Sequence, residues 1–415
     1  MPTIHSYFCP CPRGLEAALA EELQEIAGKS DTLHIHQTIP GGVHCSGMQH
    51  DGWLINLYSR IASRVLQRVA QSSYRHEEDI YRLAVKQPWE TWFGVENTIR
   101  IDITAIRSPL KSLNFTTLRI KDGVVDRFRS FTRSRPSVNT HTPDIRIAAF
   151  LDAHNVTLYL DTSGEALFKR GWRHETGDAP LRENLAAGLL RTAGWKPGIP
   201  LLDPMCGSGT ILIEAAQIML GIPPGLNRTF SFEKFTGFDR EKWQAMKSAV
   251  RLNPAPMEPS IFGSDISGDM LDMTRHNLKA AGITFDIPLH QIEAQEIRLP
   301  TEKPGIILTN PPYGERIGVR GNRNLEENER AIRFYQAFGT TLKQRFPGWT
   351  VFLFTADFNV PRLLRLKESR KTPFYNGPIE CRLFRFDMVA GSNRTRKPAT
   401  FRIARPAPSA GETQN

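Results

Sequence analysis

A chain of 415 residues with 40% hydrophobic and 23% charged residues has the make-up of a folded protein and room for two or three domains, which excludes global disorder. Its formal net charge of +10 favours a polyanionic partner, only weakly when taken alone. The chain offers no charge-free apolar run long enough for a bilayer, residues 1–23 lack the form of a secretory leader, and Cys9, Cys11, Cys45, Cys206 and Cys381 lack the paired spacing of a zinc site. A soluble, cytoplasmic protein with reduced thiols, no membrane association and no metal is expected.

Residues 4–9 read as a strand, and 14–26 as an amphipathic helix with Leu15, Ala18, Leu19, Leu23 and Ile26 on one face. A short strand at 43–45, a helix over 51–66 and a strand over 65–72 follow. Segments 80–87 and 99–105, a long basic helix over 121–132, and strands at 144–152 and 155–161 complete an α+β unit. Lys111, Arg119, Lys121, Arg127, Arg129, Arg133 and Arg135 crowd around Phe115, Phe128 and Phe131. That pattern suits phosphate contact with base stacking, and equally a solvated helix face with its phenylalanines inside. Residues 162–180 read as a linker carrying Phe168-Lys169-Arg170-Gly171-Trp172-Arg173-His174.

From Leu181 helix and strand alternate as in a doubly wound parallel sheet. Helices are predicted over 182–193 and 208–220, apolar strands over 200–202, 260–264, 305–309 and 350–355, and a hairpin over 372–376 and 380–386 around Asn376-Gly377. After Met388 the sequence is basic, proline-containing and without period, as expected of a flexible tail.

Asp203-Pro204-Met205-Cys206-Gly207-Ser208-Gly209-Thr210 stands where an apolar strand gives way to a helix. Ligands of open parallel sheets collect at such strand tips, and glycines let the backbone approach them. The lysine of a phosphate loop is missing, and Asp203 would repel a phosphate. An acid beside a glycine turn suits S-adenosylmethionine, with its ammonium, sulfonium and ribose hydroxyls. The candidate cofactor contacts in this loop are Asp203, Pro204, Cys206, Gly207, Ser208, Gly209 and Thr210. A second acid is expected at the next strand tip. Asp265 follows Ile261-Phe262 and is preferred, whereas Asp239 lies among charged residues and reads as a helix cap. The adenine contact is expected near 294–296, with Ala294 as the candidate.

Residues 305–316 repeat the layout, with an apolar strand ending in Asn310-Pro311-Pro312-Tyr313. An amino group on a base is a poor nucleophile because its lone pair is delocalised into the ring. A site that methylates it must hold both N–H bonds so that the lone pair faces the donor. The Asn310 amide oxygen and the Pro311 carbonyl offer two acceptors, Pro312 stiffens the loop, and Tyr313 offers a ring for an unstacked base.

These two loops resemble those of the class I amino methyltransferases with an Asn-Pro-Pro-Tyr signature. Residues 168–173, Pro180-Leu181-Arg182-Glu183-Asn184-Leu185-Ala186-Ala187 and 310–316 are more narrowly similar to the THUMP-domain RNA methyltransferases. Within that group the chain resembles the bacterial guanine-N2 methyltransferases of large-subunit ribosomal RNA, in a form lacking a second fused methyltransferase. The resemblance spans roughly residues 1–388. It implies an α/β fold in which an α+β ferredoxin-like/THUMP module precedes a Rossmann-like class I methyltransferase domain. The expected division is 1–44 ferredoxin-like, 45–162 THUMP, 163–180 linker, 181–388 catalytic and 389–415 tail. It further implies cofactor contacts by Asp203, Gly207 and Asp265, with Asn310 and Tyr313 at the target. The substrate it implies is 23S ribosomal RNA or a large-subunit assembly intermediate, with Lys121, Arg127, Arg129, Arg133, Arg170 and Trp172 as candidate RNA contacts. Glu293-Ala294-Gln295-Glu296 departs from the Asp-Ala pair frequent in such enzymes. Competing expectations are a transfer RNA guanine-N2 methyltransferase, a DNA adenine-N6 methyltransferase, and a non-catalytic RNA-binding assembly factor.

Overall fold

The structure, a computed structural model, describes residues 3–173, 181–311 and 325–389. Its first half runs β1 (His5–Pro10), α1 (Glu16–Ala27), β2 (His34–Ile39), β3 (Gly42–Gly47), α2 (Gln49–Tyr58), β4 (Leu66–Ser73), α3 (Glu77–Val85), β5 (Ile99–Ala105), α4 (Leu113–Thr132), β6 (Ile145–Leu151) and β7 (Asn155–Asp161). The strands form one seven-stranded sheet in the order β2-β3-β1-β4-β7-β6-β5. Leu15, Leu19, Leu23 and Ile26, spaced at helical period, bury one side of α1. Ile145, Ile147, Ala149 and Leu151 alternate inward along β6. β4 is shared, pairing with β1 on one side and β7 on the other.

The helix predicted over 51–66 stops at Tyr58. The buried Glu22 carboxylate accepts hydrogen bonds from the Ser59 hydroxyl (2.6 Å) and from the Arg60 (2.9 Å) and Ile61 (3.2 Å) amides, which draws the chain out of the helix. The basic helix starts at Leu113 rather than 121, because the Ser112 hydroxyl caps it by accepting from the Phe115 amide at 3.2 Å. β2, absent from the sequence reading, is a mostly exposed edge strand. The boundary expected between 44 and 45 falls inside β3.

The second half runs α5 (Glu183–Thr192), β8 (Leu201–Asp203), α6 (Thr210–Met219), α7 (Arg240–Ser248), β9 (Ile261–Asp265), α8 (Gly268–Ala280), β10 (Leu289–Gln291), β11 (Ile306–Thr309), α9 (Leu325–Arg345), β12 (Thr350–Thr355), α10 (Val360–Leu364), β13 (Arg370–Asn376) and β14 (Ile379–Asp387). Their order is β10-β9-β8-β11-β12-β14-β13; the first five are parallel, and β14 and β13 form the antiparallel hairpin. The chain steps outward from β8 to β9 and β10, then returns to place β11 on the other side of β8. The crevice between β8 and β11 is therefore the topological switch point, where such sheets bind ligands.

The expected linker is packed between the halves over its described part. Thr162 and Ser163 are buried, the Asn56 amide donates to the Thr162 hydroxyl at 2.8 Å, and the Ser163 hydroxyl donates to the Asn56 side-chain oxygen at 2.6 Å. Trp53 of α2 stacks on Phe232 with centroids 5.4 Å apart, adding an aromatic joint between the halves. Glu214 of α6, fully buried, bridges Arg60 (3.2 Å) and Arg170 (3.1 Å). Among the described residues no helix is long and apolar enough to cross a membrane, and no group of three His, Cys, Asp or Glu side chains is placed to hold a metal.

Candidate active site

β8 is three buried residues, so its apolar pair Leu201-Leu202 anchors the strand and carries Asp203 to the tip. The following loop is tied down on all sides. The Met205 amide donates to Asp203 (3.2 Å), the Cys206 amide to the Ser264 carbonyl (2.9 Å) and the Gly207 amide to Asp265 Oδ2 (2.9 Å). From α8 the Thr274 hydroxyl donates to the Gly207 carbonyl (2.6 Å) and the Asn277 amide to the Ser208 carbonyl (3.1 Å). Gly209 adopts φ +81°, and a Cβ there would stand 2.7 Å from Thr274 Cγ2. Among the described residues, a Cβ on Gly207 would meet nothing within 4 Å.

Burial pushes the Asp203 carboxyl up to about 7, with the Asp265 charge adding to the rise and the Met205 amide opposing it. The Thr309 hydroxyl is near enough to favour the charged form, yet it makes no geometric hydrogen bond. No described cation pairs with Asp203. Asp265, partly exposed at the tip of β9, accepts from Gly207 with one oxygen and from the Ser267 amide (3.0 Å) with the other. Asp239 caps α7, accepting from the Lys242 amide at 2.9 Å. Ile266, beside Asp265, is 65% exposed and offers an apolar platform that the sequence reading missed. Ala294, the candidate adenine contact, buries its methyl group in the core with Leu202 and Phe262.

Across the switch point, Ile307 pairs with Leu202, which sets the tips of β8 and β11 side by side. Thr309 is fully buried and Asn310 half-buried. Among the described residues, the Asn310 Oδ1, Thr309 Oγ1 and Ser264 Oγ atoms are buried without a hydrogen-bond partner. Such orphans are rare in folded proteins. Pro311 is buried, whereas Pro312 and Tyr313 lie outside the described residues.

Arg173 reaches the cofactor loop from the segment joining the halves. Its guanidinium donates to the Ser208 (2.9 Å) and Thr210 (2.8 Å) hydroxyls and to Glu183 of α5 (2.9 Å). Sequence gave no role to this arginine, because its partners stand 10 to 37 residues away.

The proposed RNA contacts divide. Arg170 and Trp172 are 7% and 3% exposed; Arg170 is held by Glu214 and donates to the Leu167 and Arg60 carbonyls, so both residues are interior joints and not surface contacts. On α4, Lys121 pairs with Asp122 (2.7 Å), Arg129 with Asp126 (3.2 Å), and Arg127 grips Glu90 through two nitrogens. Arg133 terminates the helix in the left-handed region at φ 59°. Phe128 is buried, but Phe115 and Phe131 are 51% and 66% exposed. The basic face exists with much of its charge already paired.

A doubly wound sheet with a glycine loop, two carboxylates and an orphaned acceptor at its switch point is the architecture of the Rossmann-like methyltransferases. Residues 170–385, more than half of the chain, match the RMKL-like methyltransferase domain; 74–161 match the THUMP domain and 6–66 the RlmL ferredoxin-like domain. The chain belongs to the RMKL-like methyltransferase domain family. It is 38% identical over 382 residues to the ribosomal RNA large subunit methyltransferase K/L of Psychromonas ingrahamii, covering 91% of this chain and 49% of that protein. The chain spans about half the length of the curated relatives it matches. Among solved structures it is similar to "a possible methylase" from Clostridium difficile 630 (28% identity, TM-score 0.83, 94% of this chain and 99% of that one). It is also similar to SMU.472 complexed with SAH (25% identity, TM-score 0.79, 94% of this chain and 100% of that one).

Proposed function

We propose that this chain uses S-adenosylmethionine to methylate the exocyclic N2 amine of a guanine in RNA, the substrate being 23S ribosomal RNA or a large-subunit assembly intermediate in the cytoplasm. The observation that carries the reading is the buried Asn310 Oδ1, an acceptor at the tip of the strand beside the cofactor strand and lacking a donor among the described residues. The residues present fit the cofactor: Asp203 is a buried carboxylate without a described counter-ion, no described atom crowds a Cβ placed on Gly207, and Asp265 and Ile266 follow at the next tip. When bound, S-adenosylmethionine would supply a methyl group on a cationic sulfur: the N–C bond would form as the S–C bond breaks, S-adenosylhomocysteine would leave, and the surplus proton of the amine would pass to water.

Asp203 would hold the positive charge of the bound cofactor, and its buried position would strengthen that attraction. Asp265 fixes the glycine turn through its Gly207 bond while retaining lone pairs for hydroxyl donors. Asn310 Oδ1 accepts one N–H of the amine, and the Pro311 carbonyl is assigned the other. Held this way, the nitrogen lone pair is directed out of conjugation and toward the methyl group, and alignment supplies much of the acceleration. Ribosomal RNA as substrate is supported by the name of the Psychromonas relative, and guanine N2 by the loop resemblance.

Nucleoside mass spectrometry of RNA from cells with and without this protein tests the substrate. N2-methylguanine lost from 23S RNA alone is expected; loss from transfer RNA alone redirects the reading, and N6-methyladenine lost from DNA alone overturns it. Asn310→Ala is expected to cost on the order of 10²-fold or more in methyl transfer with little change in cofactor affinity. A fully active variant would remove the mechanism.

A further inference from the structure

A cleft of about 410 Å³ opens at the carboxyl end of β12, one strand beyond the target loop. It is lined by Phe358, Arg362, Lys367, Lys371 and Arg382, with Glu368 as the acidic member. Among the described residues Arg362, Lys367 and Lys371 have no ion-pair partner; Arg382 has Glu380 at 3.6 Å. The Arg382 guanidinium lies 4.0 Å over the ring of Phe358, itself 41% exposed. Sheet register fixes the relation to the target. Thr309 pairs with Leu353 of β12, and Thr355 at the end of β12 pairs with Arg382 of β14. At the usual strand spacing, Arg382 sits about 10 Å to the side of β11.

Unpaired cations beside an exposed aromatic ring, pre-oriented by a guanidinium, are the elements of a single-stranded nucleic-acid subsite. The cations attract phosphate and the ring stacks on a base of any sequence. A volume in the range of small-ligand pockets admits one nucleotide and not a duplex. We propose that this cleft binds a nucleotide flanking the methylated base on the same RNA strand, its phosphate at Arg362, Lys367 and Lys371 and its base against Phe358. The inference rests on the proposed RNA substrate and deepens it: the catalytic domain itself grips unpaired RNA next to the target.

The test uses the full chain, with Lys367→Ala/Lys371→Ala and Phe358→Ala as exposed substitutions that leave the core intact. Fluorescence anisotropy is measured across salt concentrations with a labelled single-stranded RNA of about ten nucleotides. Loss of two phosphate contacts is expected to reduce the slope of log affinity against log salt by about 1.4. Phe358→Ala is expected to weaken binding roughly tenfold. S-adenosylhomocysteine affinity is expected to be unchanged in both, and in turnover KM for RNA to rise with kcat held. Wild-type slope and affinity in both variants would overturn the proposal, as would lost binding to polyglutamate with RNA binding intact, which assigns the cleft to an acidic protein. Weakened RNA binding in the variants, with a wild-type protein that methylates nothing, would sustain the cleft and fail the reaction, so the two readings separate.

Discussion

Replacing Asp203 by asparagine perturbs the cofactor loop in two opposite directions. Burial holds the carboxyl at about 7 against an ordinary 3.8, so folding is penalised when this group must be charged. Below pH 3.8 it is protonated in the folded and unfolded chain alike and the penalty is absent. Between 3.8 and about 7 the unfolded chain releases the proton before the folded one, and stability falls as pH rises. Above about 7 the cost is constant, at roughly 4 kcal/mol. Asparagine keeps an oxygen for the Met205 amide and carries no charge. Asp203→Asn is therefore expected to be more stable than the parent at about pH 8, by up to roughly 4 kcal/mol, with the gap closing toward pH 4. Urea unfolding of the two proteins across that pH range measures it. Calorimetry with S-adenosylhomocysteine is expected to move the other way, with affinity at least about tenfold weaker in the variant for loss of one charge-assisted contact. Parallel pH profiles, or a variant less stable than the parent at pH 8, would refute the reasoning.

Glu214→Ala strands two guanidinium groups in the interior, and a loss of about 3–5 kcal/mol is expected in thermal or urea unfolding; an unchanged midpoint contradicts the joint. Arg173→Ala frees the Ser208 and Thr210 hydroxyls, so cofactor affinity is expected to fall by roughly tenfold, about 1.4 kcal/mol for charge-assisted bonds, with lysine failing to restore it. Calorimetry decides, and full rescue by lysine counts against the forked contact. Charge reversal at Arg129 and Arg133 is expected to weaken RNA binding and flatten its salt dependence, whereas Arg127→Glu is expected to lower stability first by breaking the Glu90 bridge. A salt slope unmoved by the Arg129 and Arg133 changes would return that face to plain solvation.

The position of the candidate site was legible in sequence because β8, β9 and β11 are short apolar runs ending in a polar residue, and that pattern points to the tips of buried parallel strands. Asp203, Asp265 and Asn310 stand at those tips, within a residue of the predicted strand ends. Contacts between distant segments were not legible. Arg170 read as surface charge because Glu214, the partner that buries it, lies 44 residues later. The early end of α2 depends on Glu22, 37 residues before Ser59. β2 escaped notice because an edge strand with both faces mostly wet carries little alternation.

The sharing of β4 ties the two parts of the first sheet into one body. A strand that belongs to two ladders at once cannot hinge between them without breaking backbone pairing, and the Arg60–Glu214–Arg170 joint fastens the same body to the helix that begins at the cofactor turn. If α4 anchors the RNA, that RNA meets the methyl donor at a span set by the scaffold. Such an enzyme selects its nucleotide as a fixed gauge does, by distance from an anchoring point, and insertions that lengthen the RNA between the two points would shift or abolish modification without altering the target base.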